Sequence, residues 1–268
     1  MKTYAISLKR VSERYNYIRT HVEERGLDFE LIDAVDGSQL SDARLAETCD
    51  MKKVEKLRWW LSNGAIACAM SHQLAYERLI NSKEKAAFIV EDDVILPSNI
   101  QQLLTEIEAE IRPTEIVLLY YTSFKPAKFS SIGGRKLSSG GLYYPMDIAQ
   151  PITAAAYVIG REAAKRLKES FYPIRTTADC WGHFYNDGNF DSLRVHFPAL
   201  VKTKNFKSSI DYLKPGSLKS KLAAFINQHQ IPPFYQYLQK KRQKRLDSML
   251  GHFVLVEEES PILLKQKS

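Results

Sequence analysis

The 268-residue sequence predicts an α/β fold: an open, mostly parallel sheet with helices on both faces, followed by a basic helical C-terminal appendage. Strand-like and helix-like segments alternate through the first 121 residues. Two of those strands, Ala86 to Val90 and Glu115 to Tyr121, are nearly continuous apolar runs, as expected where both sheet faces are covered. From Lys214 to Leu246, eight lysines and arginines occur without one acid. These observations place the α/β domain in residues 1–205 and the appendage in 206–268.

Thr3 to Leu8 reads as the first strand. Ser12 can cap a helix reaching about Arg25, with Tyr15, Ile18 and Val22 on one face and Gly26 as its stop. Phe29 to Val35 is a second strand, Asp36-Gly37 a turn, and Gln39 to about Cys49 a helix. Leu61 to Gly64 forms a loop, with Asn63 as cap of a helix ending near Ile80. The Ala86–Val90 strand follows, then a helix from Pro97-Ser98 to about Ile111, then the Glu115–Tyr121 strand. Residues 122–150 are rich in Ser, Gly, Lys and Tyr. Their Ser123 to Tyr144 stretch reads as a surface hairpin or as a mobile lid. Thr153 to Ile159 is a strand, Arg161 to about Ser170 a helix, and Arg194 to Val201 a last strand interrupted by Pro198.

Apolar residues at 44% and charged residues at 26% exclude wholesale disorder. No run of about 18 uncharged apolar residues appears, so no membrane-spanning helix is expected. The start of the chain lacks the apolar core and cleavage site of a secretory signal. Cys49, Cys68 and Cys180 form neither a zinc spacing nor a disulfide framework, which favours a reducing compartment. A net charge of +7 suits polyanionic partners: nucleic acid, anionic lipid or phosphorylated small molecules.

Glu91-Asp92-Asp93 directly follows a buried strand, and ligands of open α/β sheets bind beyond the carboxyl ends of strands. Packed carboxylates repel, and a hard cation such as Mg2+ or Mn2+ offsets them while leaving positions for diphosphate oxygens. The competing reading is an acidic helix start favoured by the helix dipole. The helix after Asn63 is apolar nearly all round, yet Ser71-His72-Gln73 interrupts it. His72 is either a ligand contact or a satisfied core histidine.

Four blocks in order carry a resemblance: Ile6-Ser7-Leu8-Lys9-Arg10 with Arg14; Phe29-Glu30 with Ala34-Val35-Asp36-Gly37; Asn63 to His72; and Ala87 to Val94. With Thr153 to Ile159 and the Asp179 loop, they are similar to glycosyltransferase family 25, the bacterial lipooligosaccharide-biosynthesis galactosyl- and glucosyltransferases. The likeness covers roughly residues 3–201. Where that family carries Gly-Glu, this chain has Asn63-Gly64-Ala65, so no role passes to Ala65.

The resemblance implies a GT-A-like, Rossmann-type fold, a UDP-hexose donor and an inverting transfer to a lipooligosaccharide core acceptor. Galactose is the expected hexose and glucose the alternative. Asp93 would hold Mn2+ or Mg2+, with Glu91 and Asp92 facing ribose or sugar. Ser7, Arg10 and Arg14 would lie at the nucleotide end, Asp36 at the uridine and His72 in the donor site. Inversion also needs a base across the sugar ring from the leaving group. Asp179 is the choice, beside Trp181 as a stacking face, with Asp187 and Asp191 as rivals. His196 is the candidate further metal ligand and His183 its alternative.

The cations at Lys214, Lys219, Lys221, Lys240, Lys241, Arg242, Lys244 and Arg245 bracket apolar residues such as Phe225 and Phe234. That pattern suits the anionic inner face of a cytoplasmic membrane, with the protein cytoplasmic and peripheral. No RNA-binding motif appears and no nucleic-acid partner is expected. The rival functions are a metal-dependent phosphoryl-transfer enzyme or nuclease, and a non-catalytic nucleic-acid- or membrane-binding module.

Overall fold

The structure, a computed structural model, describes residues 1–58, 60–204, 206, 222, 225–226, 231–238, 240–241, 244 and 253–267. Among them, nine strands form one mixed sheet. In chain order its strands are β1 (Lys2–Ser7), β2 (Phe29–Asp33), β3 (Ala86–Glu91), β5 (Glu115–Leu118), β6 (Ala127–Leu137), β7 (Gly140–Pro145), β8 (Ala156–Gly160), β9 (Ser192–Phe197) and β11 (Phe253–Val256). The spatial order is β11-β6-β7-β9-β5-β8-β3-β1-β2. The short strands β4 (Val94–Ile95) and β10 (Lys202–Thr203) form a separate antiparallel pair.

The first three strands pair in parallel, as the alternating sequence predicts: β1 lies between β2 and β3. Beyond β3, the reversed strand β8 pairs antiparallel with both β3 and β5. Alternate strand residues feed two cores. Tyr4, Ile6, Ala87, Ile89, Tyr157 and Ile159 face one side, while Ala5, Phe88, Val90 and Val158 face the other. The first core is covered by α4 (Asn63–Asn81), α6 (Arg161–Glu169) and α7 (Trp181–Asn186). The second is covered by α1 (Ser12–Glu24) and α5 (Ile100–Glu108).

Several boundaries differ from expectation. Ser62, not Asn63, caps α4 by accepting the Ala65 N–H at 3.3 Å. The predicted 39–49 helix begins after a 3-10 turn, as α2 (Asp42–Thr48), and a further helix, α3 (Met51–Lys56), follows with Asp50 as its cap. Residues 123–144 do not form a lid: β6 and β7 make a hairpin within the sheet, and β7 pairs with β9. The C-terminal portion is not wholly a separate helical appendage. β11 pairs in parallel with β6, and the helix Pro261–Lys267 buries Ile262 in the first core. Apolar side chains at 253 and 262 explain this return, because they complete a face that β6 and β7 leave open. Lys214, Lys219, Lys221, Arg242 and Arg245 lie outside the described residues.

Candidate active site

The chain runs from β1 to β2 on one side and later to β3 on the other. A crevice therefore opens beyond the carboxyl ends of β1 and β3. It is a cleft of about 510 Å³ bounded by the end of β1, the Asp36–Ser38 turn, the first turns of α4, the acidic triplet and Phe206. Gly37 permits this shape: a Cβ there would lie 2.7 Å from the Asn63 carbonyl oxygen and 2.8 Å from Gly64 Cα. The turn and the start of α4 can thus approach backbone to backbone.

Ser7 Oγ donates to Asp92 Oδ2 at 2.8 Å, and Arg14 Nη2 donates to Asp92 Oδ1. The same Arg14 nitrogen lies 3.5 Å from Asp93 Oδ2. Burial raises the Asp92 carboxyl's pKa, against the pull of Arg14 and Ser7. At Asp93, burial and then the charges of Glu91 and Asp92 push the carboxyl up to about 7, opposed by Arg14. Its Oδ1 is buried and has no hydrogen-bond partner among the described residues. A partnerless, destabilised carboxylate oxygen at a cleft is what a hard cation would relieve.

Arg10 donates two hydrogen bonds to Asp36, the one from Nη2 to Oδ1 at 3.0 Å. Asp36 Oδ1 also accepts from the Ser38 amide at 2.9 Å and the Ser38 hydroxyl at 2.7 Å. These bonds, led by that from Arg10, hold its carboxyl far below the usual range. Asp36 is therefore a fixed anion that orients Arg10 at the mouth. Arg58 and the α4 N-terminus also line the cleft, where the positive end of the helix dipole favours a phosphate.

Glu91 sits across from α4. His72 Nε2 is 3.4 Å from Glu91 Oε1, and Cys68 Sγ is 3.9 Å from the same oxygen. Burial would raise the Glu91 carboxyl, but the hydrogen bond and charge of His72, then Arg14, outweigh it and leave it below the ordinary value. Ser7, Arg10, Arg14, Asp36, Glu91, Asp92 and Asp93 thus meet in one cleft, and His72 stands behind it.

Asp179 is placed nearby but does not line the cleft. Its charge acts on Cys68, and its oxygens accept from Thr177 Oγ1 at 2.6 Å and the Thr153 amide at 3.3 Å. Thr153 has φ 87°, a strained value for a β-branched residue, and Asp179 helps hold it there. Trp181 is no stacking platform: it is buried against Tyr157, with its indole N–H donated to the Thr153 carbonyl at 3.1 Å. Asp187 and Asp191 lie in exposed ion pairs with His183 and Arg166, outside the cleft lining.

His196 is not brought to the acidic triplet. It lies on β9, three strands from β3, fully buried, with Nδ1 2.8 Å from the Pro198 carbonyl. A metal ligand assigned from its order in the chain fails here because β5 and β8 intervene. Cys68 and Phe206 are cleft residues that the sequence reading missed. The one-turn spacing of Cys68 from His72 was the available signal for the former.

A family model described as glycosyltransferase family 25 (LPS biosynthesis protein) matches residues 1–181. The chain is 28% identical over 173 residues to the lipooligosaccharide biosynthesis protein lic2B of Haemophilus influenzae, the match covering 61% of each chain. It is 26% identical over 175 residues to the lacto-N-neotetraose biosynthesis glycosyltransferase LgtB of Neisseria gonorrhoeae, covering 64% of this chain and 61% of that one. An inactive glycosyltransferase 25 family member 3 of Homo sapiens is 22% identical over 189 residues, 65% of this chain and 31% of that one. The chain spans about three-fifths of the length of the bacterial relatives it matches.

Proposed function

Since the chain belongs to glycosyltransferase family 25, we propose that it is an inverting hexosyltransferase that moves galactose, with glucose as the alternative, from a UDP-sugar to a lipooligosaccharide or lipopolysaccharide core. One observation carries this reading. A single cleft is lined by an acidic triplet, whose Asp93 Oδ1 has no partner among the described residues, together with Arg10, Arg14, Arg58 and the start of α4. A nucleoside diphosphate carrying a divalent cation has the complementary charges.

In this reading Asp93 would hold Mn2+ or Mg2+, which would supply positive charge to stabilise the departing diphosphate. Arg14 limits repulsion between Asp92 and Asp93 and keeps both aimed at the cleft. Ser7 fixes the Asp92 carboxylate from the other side. Arg10, set by Asp36, reaches the nucleotide. Asp179, beside the cleft rather than in its lining, is the base assigned to the acceptor hydroxyl, and it would serve an acceptor that enters from its side; its oxygens accept one hydrogen bond each, from the Thr153 amide and Thr177 Oγ1.

The membrane-facing proposal draws on the described part of the tail. Leu222, Phe225, Phe234 and Tyr237 are exposed, as are Lys240, Lys241 and Lys244. Among the described residues no helix is long and apolar enough to cross a membrane. Surface attachment by apolar groups and cations is the mode that fits.

The deciding experiment is a thermal-shift screen with UDP-galactose, UDP-glucose and UDP-N-acetylglucosamine, each with and without Mn2+. A hexose donor should raise the melting temperature in an Mn2+-dependent manner. No shift with any nucleotide sugar would sink the reading.

A further inference from the structure

Cys68 and His72 stand one turn apart on the same face of α4, and Glu91 approaches from the end of β3. One ligand atom from each lies within 4.8 Å of the other two. We propose that these three residues form a second cation site, which takes a thiophilic divalent ion, Zn2+ foremost, with its remaining position open to the cleft.

Hydrogen-bond direction around His72 supports the assignment. Tyr157 donates its hydroxyl proton to Tyr76 at 2.9 Å. Towards His72 Nδ1, 2.8 Å away, the same hydroxyl can only accept. Nδ1 therefore donates to the tyrosine, and Nε2 is the nitrogen turned towards Glu91. Nε2 faces Glu91 Oε1 at 3.4 Å, and Cys68 Sγ lies 3.9 Å from the same oxygen. A single cation among these three atoms would draw on all of them. The tyrosine that fixes the ring's tautomer is the outer support that metal-binding histidines require.

The donor set selects the ion. A thiolate, an imidazole and a carboxylate match Zn2+ and Co2+ better than Mg2+, which prefers oxygen alone. Three protein ligands and one open position are the pattern of an exchangeable zinc site rather than a closed structural one. Cys68 and Glu91 line the cleft and provide the way in, while His72 is 1% exposed. The site differs from the proposed oxygen-only site at Asp93 and does not depend on the transferase reading.

Co2+ titration of the purified protein tests it. Wild type should bind one equivalent with a near-ultraviolet thiolate-to-cobalt charge-transfer band, displaced by Zn2+. The band should vanish in Cys68→Ser and persist in Cys49→Ser, Cys180→Ser and Asp93→Asn. Tyr157→Phe should weaken Zn2+ binding about 10- to 100-fold, the usual cost of losing a ligand's outer partner. Melting curves without metal establish that each variant is folded. A wild type with no such band overturns the proposal and leaves an imidazolium–carboxylate pair in its place. A band that survives Cys68→Ser, or disappears in Asp93→Asn, overturns it equally.

Discussion

Asp93 has one oxygen 3.5 Å from Arg14 and the other buried without a partner among the described residues. Asp93→Asn should abolish cation-dependent transfer while the melting temperature holds or rises, because a buried charge is removed. Parallel activity and melting measurements check this. His21 makes a pH prediction. Burial first, then the charge of Arg25, lowers its pKa below the ordinary 6.5, and its Nε2 accepts the Leu96 amide at 2.8 Å. His196 is lowered by burial in the same sense. Both stay neutral in the fold while the unfolded chain takes up protons. Their contribution is therefore full above 6.5 and is lost as pH falls from there towards the folded values. Melting temperatures measured across that window should fall, and the His21→Gln, His196→Gln double variant should flatten the decline. The triplet stood out because it directly follows a buried strand, whereas Ser7, Arg10, Arg14 and Asp36 came from the resemblance to glycosyltransferase family 25. His196 and Trp181 were misread because burial and strand order decide their surroundings.

The α1 helix shows why some function escapes periodicity. Tyr15, Ile18 and Val22 suggest an apolar face, but Arg14, Tyr17, His21 and Arg25 form a polar ladder beside it. Arg14 bonds Asp92, Tyr17 the Val94 carbonyl at 2.8 Å, His21 the Leu96 amide, and Arg25 the Leu96 carbonyl at 3.0 Å. One helix thus holds the whole segment after β3 in place. Only apolar residues enter a hydrophobic pattern, so the ladder was invisible until its backbone partners were placed. At the opposite wall, the Asp36–Ser38 turn rests against α4 without room for a methyl group at Gly37. Gly37→Ala should cost about 1–3 kcal/mol in denaturant unfolding. It should also weaken UDP-sugar binding, measured by calorimetry, by displacing Asp36 and Arg10.

Across the whole molecule, the alternating first half made the α/β class and parallel β2-β1-β3 core legible. The reversed β8 and the return of residues 253–267 were not, since short apolar strands carry no sign of their direction or neighbours. This architecture also shapes the test of membrane attachment. A truncation that removed residues 253–267 would strip an edge strand and the buried Ile262 along with the basic tail. Lys240→Gln, Lys241→Gln and Lys244→Gln together keep the fold intact. At about 1 kcal/mol per cation, this variant should partition onto anionic vesicles roughly a hundredfold less well in sedimentation, with little change on neutral ones. The Phe253–Ala127 pairing has a further consequence for synthesis. Translation delivers β6 long before its neighbour, so a nascent chain emerges from the ribosome with that hairpin edge bare. Until Phe253 to Val256 is released, chaperones have a window in which to guard it.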